Sequence, residues 1–194
     1  MRTTALSSKG KTMQEAPKPK KKTRDIVLAV VLILVVIAAV AGYLFYSPAT
    51  VNLSVSDPPP LYDSSISAIY VTFVSIDLHV ANAGNNSGWT TINHGTTINL
   101  MQVLNVSKTV GNAHLTPGKY TELRFNVSTV VVTISGFNVT YTIPSGSLKV
   151  PITNGGFQIL GGQTVNVELD LSFKNSEILA ENGYLTPVAA AKVV

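Results

Sequence analysis

From Val51 the chain alternates: Val51, Leu53 and Val55 are apolar, and Asn52, Ser54 and Ser56 between them are polar. A period of two turns one face of an extended strand toward a core and the other toward water. The same period returns at Val74, Ile76, Leu78 and Val80, with Ser75, Asp77 and His79 on the opposite face. It recurs at Leu123, Phe125 and Val127, at Phe137, Val139, Tyr141 and Ile143, and over the longest run at Val165, Val167, Leu169, Leu171 and Phe173. Between these runs, "NAGNNSG", "NHG", "TPGK", "PSGS", "TNGG", "LGGQ" and "ENG" predict turns. Short strands separated in this way predict an all-β body, an antiparallel β-sandwich or a barrel-like version of one. "NLMQVLN" is read as a single short helical turn, and no internal repeat is found.

One segment has neither period. "IVLAVVLILVVIAAVAGYLFY", Ile26 to Tyr46, carries no charge over 21 residues. At about 1.5 Å per residue it covers roughly 31 Å as a helix, the thickness of a bilayer's hydrocarbon core. Tyr43 and Tyr46 at its far end fit an interfacial aromatic position, and "KPKKKTRD" before it predicts a cytoplasmic amino terminus. The chain then divides into a basic cytoplasmic tail (1–25), a transmembrane signal anchor (26–46), a short linker (47–50) and an extracytoplasmic β-sandwich domain (51–194), with the lipid bilayer as first partner. The alternative is a cleaved signal peptide, since Ala39-Val40-Ala41 forms a small-x-small site before Gly42.

Charge follows the same division. Residues 1–25 carry a net charge of about +6 and everything after Tyr46 about −2, so the overall +4 belongs to the tail. The basic residues adjoin the apolar run and are not interleaved with aromatics, which argues against nucleic acid as a partner. Cysteine is absent, so the body is held by its core alone. A body whose solubility comes from Ser, Thr and Asn suits an acidic or glycan-covered exterior, and its stability is expected to vary little as carboxylates titrate.

Candidate chemistry is sparse. His79, His94 and His114 are scattered, without the spacing of a zinc site. Asp77 and His79 share one strand face, and Glu168 and Asp170 line the polar face of the longest alternating run. These four form the candidate polar cluster; two carboxylates on one strand are too few to hold calcium, so a solvated face is the simpler reading. "GNAHLTPGKY" fails as a phosphate loop in spacing and in its last residue, and reads as a turn into a strand. No serine elbow and no thiol nucleophile are present. We therefore expect no catalytic residues, no cofactor and no metal. Asn52, Asn85, Asn105, Asn126 and Asn138 each open an Asn-x-Ser/Thr acceptor and are candidate glycosylation sites. Trp89 with Tyr62, Tyr70, Tyr120 and Tyr141 offers aromatic area for stacking sugars, although such residues more often pack a sandwich. In "SVSDPPPLYDSS", the prolines end the first strand, and three in extended form hold Asp57 and Asp63 roughly 15 to 19 Å apart. A side-chain turn is expected at each aspartate.

"VNLSVSDPP", "SIDLHV", "GWTTI", "INLMQVLN", "LTPGKYTELRFNV", "IPSG" and "YLTPV" resemble, in this order, a family of archaeal and bacterial surface domains catalogued as domain of unknown function number 4382. The resemblance covers about residues 50 to 190 and implies an exported, membrane-tethered β-sandwich without catalytic residues. Two departures stand out: the lipid-modified cysteine that similar members use as anchor is missing, and Asn99 stands where an acidic residue often precedes Leu100. The expected function is that of a membrane-anchored, non-enzymatic cell-envelope protein presenting its sandwich for adhesion, envelope assembly or ligand binding. Its expected partners are other envelope proteins or glycans, with self-association left open. The alternative is a filament subunit assembled by strand addition after signal cleavage, donating "VAAAKVV" or "ATVNLSVS". A third class, an enzyme or metal-binding module, would require a deep pocket joining Asp77, His79 or Glu168 to other polar side chains.

Overall fold

The computed structural model describes residues 21–57, 62–81 and 88–194. It divides into two compact units at Val40/Ala41. The amino-terminal helix α1 (Lys21–Tyr46) begins five residues before the apolar run and has no buried side chain. By length and composition it is able to cross a membrane. Its last turn lies in the second unit, where the Leu44 carbonyl, unpaired within the helix, accepts from the Gly161 N–H at 2.7 Å. A Cβ on Gly161 would collide with the carbonyls of that turn, and one on Gly162 with the Tyr43 ring, so this approach needs two glycines.

Two sheets follow. The strands are β1 (Ala49–Ser56), β2 (Ile66–Val80), β3 (Trp89–Asn99), β4 (Lys108–Leu115), β5 (Gly118–Ile134), β6 (Phe137–Tyr141), β7 (Ser147–Pro151), β8 (Phe157–Ile159), β9 (Thr164–Ser172) and β10 (Val188–Val193). A short helix α2 (Asn175–Leu179) stands between β9 and β10, and single 3-10 turns lie at Leu100–Gln102 and Thr153–Gly155. One sheet runs β10-β9-β1-β4. The other is built on the long strand β5, which pairs with β2 along one side and with β8, β7 and β6 in succession along the other, β3 lying outside β2.

The inward phase of these strands makes the core: Val51, Leu53 and Val55 from β1, Ile76 and Leu78 from β2, Leu123 and Phe125 from β5, and Val167, Leu169 and Leu171 from β9 are at most 1% exposed. In β2 the register shifts around Phe73, so Phe73 is buried and Val74, expected on the inward face, is exposed. Phe73 and Phe125 meet edge to face at 5.8 Å. The Tyr120 and Tyr141 hydroxyls, carried into this core, donate to the Thr116 and Ile178 carbonyls.

The expected sandwich is therefore present, with three differences of detail. β1 and β9 pair parallel, because the strands between them belong largely to the other sheet and bring the chain back in the same direction. "NHG" is not a turn: β3 runs through it, and Gly95 absorbs a positive φ of 65° inside the strand. The linker shrinks to Ser47-Pro48, since β1 starts at Ala49. Both segments considered for donation pair within their own chain, β1 at the centre of its sheet and β10 against β9. The sheet edges also meet: Asn93 of β3 donates to the Val110 carbonyl of β4, and Ile152 bridges Ala191 of β10.

Candidate functional site

The parallel register of β1 on β9 sets Ser56 beside Asp170 and Ser54 beside Glu168. The antiparallel register of β10 on β9 sets Lys192 beside Glu168. Asp57 lies one residue past β1 but keeps the inward phase of Val51, Leu53 and Val55, and it is fully buried. Its N–H donates to the Val103 carbonyl at 3.1 Å, and it bridges Leu104 in parallel, so the 103–105 loop runs alongside it. Asp57, Glu168, Asp170 and Lys192 together line a cleft of about 360 Å³, with Asn105 and Ser107 at its rim. Asn105 takes a positive φ of 57°, a conformation asparagine tolerates better than most residues.

The charges of this cleft are unevenly matched. Lys192 Nζ stands 3.0 Å from Glu168 Oε1 and 3.3 Å from Asp170 Oδ2, and these two acceptors hold its ammonium above the usual lysine range. The Ser56 hydroxyl donates to Asp170 Oδ1. Asp57 receives a single side-chain hydrogen bond, from the Tyr62 hydroxyl to Oδ2 at 2.9 Å, and the same hydroxyl accepts from the Phe173 N–H at 3.3 Å. Asp57 Oδ1 is buried and has no hydrogen-bond partner among the described residues. Burial, and then the nearby charge of Asp170, push the Asp57 carboxyl up to about 7 against the pull of the Tyr62 hydrogen bond. Burial likewise raises the Tyr62 hydroxyl, and the neighbouring Asp57 adds to it. Near neutral pH this cleft is poised between two charge states.

A second polar region occupies the outer face of the β5 sheet. Asp77 is 3% exposed, yet it is fully engaged. Arg124 Nη2 and Nε reach its Oδ2 at 3.0 and 3.2 Å, Thr91 donates to Oδ1 at 2.7 Å, and Ser75 and Asn126 also donate to it. The Arg124 guanidinium lies 4.3 Å from the Trp89 ring centre, Lys149 Nζ 5.6 Å from it, and the His79 ring 4.8 Å away.

The four residues of the sequence-derived cluster thus separate. Glu168 and Asp170 meet Asp57 and Lys192 in the cleft, while Asp77 and His79 stand on the other sheet. Asp77 is not the exposed polar residue its alternation suggested, because Arg124 and its polar neighbours cover it. Among the described residues, no group of three acid, histidine or cysteine side chains stands close enough to hold a metal ion. Asp63 forms the expected side-chain turn, accepting from the Ser65 N–H at 2.9 Å; that bond holds its carboxyl below the ordinary value. The turn expected at Asp57 and the prolines after it lie outside the described residues.

The glycosylation candidates also differ. Asn105 and Asn138 are exposed, whereas Asn52 and Asn126 are half-buried with Nδ2 donating to Asn166 Oδ1 at 3.0 Å and to Ser75 Oγ at 2.7 Å. Asn85, like most of the basic tail, is outside the described residues. Among the described residues the five aromatics do not form one platform: Tyr120 and Tyr141 are core, Tyr62 bonds Asp57, Trp89 is engaged by Arg124, and Tyr70 stands exposed on β2. Asn99 caps the 3-10 turn, accepting from the Met101 N–H at 3.1 Å and the Ile69 N–H at 3.2 Å. The residues missed from the sequence are Asp57 as a buried acid, with Tyr62 and Lys192. The signal for the first was present: Asp57 falls on the apolar phase of its strand.

Residues 48–186 match a protein family described as Domain of unknown function (DUF4382). Comparison with curated proteins and with solved structures gave no match.

Proposed function

We propose, for a chain that belongs to the DUF4382 family, that it is a non-enzymatic cell-envelope protein: its single amino-terminal helix anchors it in the membrane, and its β-sandwich binds a ligand outside the cell. The observation that carries this reading is the cleft lined by the buried Asp57, in a body that follows directly on a helix apolar enough to span a bilayer. The basic residues up to Arg24 favour a cytoplasmic amino terminus. Binding without turnover is favoured by the make-up of the cleft. Among the described residues lining it there is no histidine to activate a hydroxyl, and of its two serines Ser56 is held by Asp170.

Ligand binding is favoured over self-assembly by strand addition, since β1 and β10 are already paired in cis. Protease treatment of intact cells tests the topology: the body from Ser47 onward is expected to be cut from outside while an amino-terminal epitope stays protected. Protection of the body until the cells are lysed would overturn it.

A further inference from the structure

The cleft does not hold a balanced set of charges. With Asp57 ionised, three carboxylates face one ammonium, and the acid with the least compensation is the one furthest from water. Glu168 and Asp170 are already served by Lys192 and Ser56. Among the described residues, the Asp57 carboxylate has only the Tyr62 hydroxyl, and its Oδ1 has no partner. What the arrangement lacks is positive charge at the Asp57 end.

The residues also indicate which kind of cation suits it. A calcium or magnesium ion needs several oxygens drawn to short distances around one point, and the acids here are not gathered in that way. A primary ammonium is less demanding, being a larger, hydrated charge that takes three hydrogen-bond acceptors. The cleft already accommodates one such group, since Lys192 Nζ sits between Glu168 and Asp170. Asn105 and Ser107 at the rim add neutral acceptors, and about 360 Å³ is room for a small molecule.

We infer that the cleft bounded by Asp57, Glu168, Asp170 and Lys192 is a binding site for the primary ammonium group of a small amine. This rests on the ligand-binding reading above and names its ligand class. The incoming ammonium shares Asp170 and Glu168 with Lys192 and places its charge beside Asp57, which ionises in response. Tyr62 and Asp170 are the titratable groups that act on Asp57, with Glu168 and Lys192 lining the same cleft, so amine binding is coupled to proton release from this carboxyl.

The test is calorimetric titration of the full chain in lipid nanodiscs, with cadaverine as the probe and pentane-1,5-diol as the uncharged molecule of the same length. Cadaverine is expected to bind at pH 7.5 and the diol is not. Between pH 7.5 and 5.5 the affinity should fall by about tenfold as Asp57 takes up its proton, and buffers of different ionisation enthalpy should reveal proton release near pH 6.5. Asp57→Asn should weaken binding by about tenfold, and Lys192→Met, which removes the competing ammonium, should strengthen it. Glu122→Gln, in the other sheet, should leave binding unchanged. Equal binding of the diol, or loss of binding in Lys192→Met with an unchanged melting temperature, would overturn the ammonium site while leaving a ligand cleft. Failure of cadaverine, the diol and glucose alike, up to about 10 mM, would overturn both.

Discussion

Two buried aspartates in this sandwich have opposite surroundings. Asp77, on the β5 sheet, is 3% exposed and meets a guanidinium, two hydroxyls and an amide; Asp57, on the β1 sheet, is 0% exposed and meets one tyrosine hydroxyl. Burial alone therefore does not distinguish a structural acid from a functional one. The first closes a network that holds β2, β3 and β5 in register, as a charge matched at its own site should. The second is left short of partners at the end of a cleft, where a raised carboxyl is a mark of a site.

Four substitutions test that contrast. Removing the matched cation should do most damage: Arg124→Met leaves Asp77 charged and unpaired, and is expected to cost about 3–5 kcal/mol in chemical denaturation at pH 7. A loss below about 1 kcal/mol would mean that the two aspartates do not differ as described.

Asp57→Asn should act in the opposite sense. The folded-state value of Asp57, about 7, lies above that of a free aspartate, so between about pH 4 and 7 the folded chain holds this proton while the unfolded chain has lost it. The stability linked to it is full below about pH 4 and is lost as pH rises through 7. Asp57→Asn should therefore be about 2–3 kcal/mol more stable than the parent at pH 8, with the advantage vanishing by pH 4. Melting curves across that range decide it; an advantage that grows toward acid would refute the assignment. Such a pH profile would also set aside the expectation of a body indifferent to carboxylate titration.

Tyr62→Phe removes the Tyr62 hydrogen bond to the Asp57 carboxylate and should destabilise by about 1 kcal/mol above pH 7, while moving the Asp57 midpoint, followed by carboxyl NMR, further up. Lys192→Met should do least. Its ion pairs are solvent-accessible, so the melting temperature should change by no more than about 2 °C, and a larger fall would make Lys192 a structural partner of the cleft acids.

The strands were legible because a half-buried strand imposes its period directly on the sequence. The runs at Val51, Val74 and Leu123 fall within observed strands, those at Phe137 and Val165 overrun theirs at Ile143 and Phe173, and "NLMQVLN" contains the 3-10 turn at Leu100–Gln102. Pairing was not legible, since the cleft depends on contacts between residues 114 apart in sequence, such as Ser56 with Asp170. No local pattern encodes that β9 would return parallel to β1. The buried state of Asp57 is masked for a different reason. The prolines after it mark only where the strand ends, whereas the parity of its position decides its burial: an acid on the apolar face of a strand is bound inward whatever follows it. Asp77 shows the converse, a residue of polar parity buried by a neighbouring arginine.

The place of β1 has a mechanical consequence. It begins three residues after α1 ends, and it is an interior strand of its sheet, bonded to β9 on one side and β4 on the other. Were α1 the membrane anchor proposed above, a tug along this strand would shear both ladders at once, sharing the load among many rungs instead of peeling them apart in sequence. The chain would then enter its body at a strand held on both sides against being pulled out.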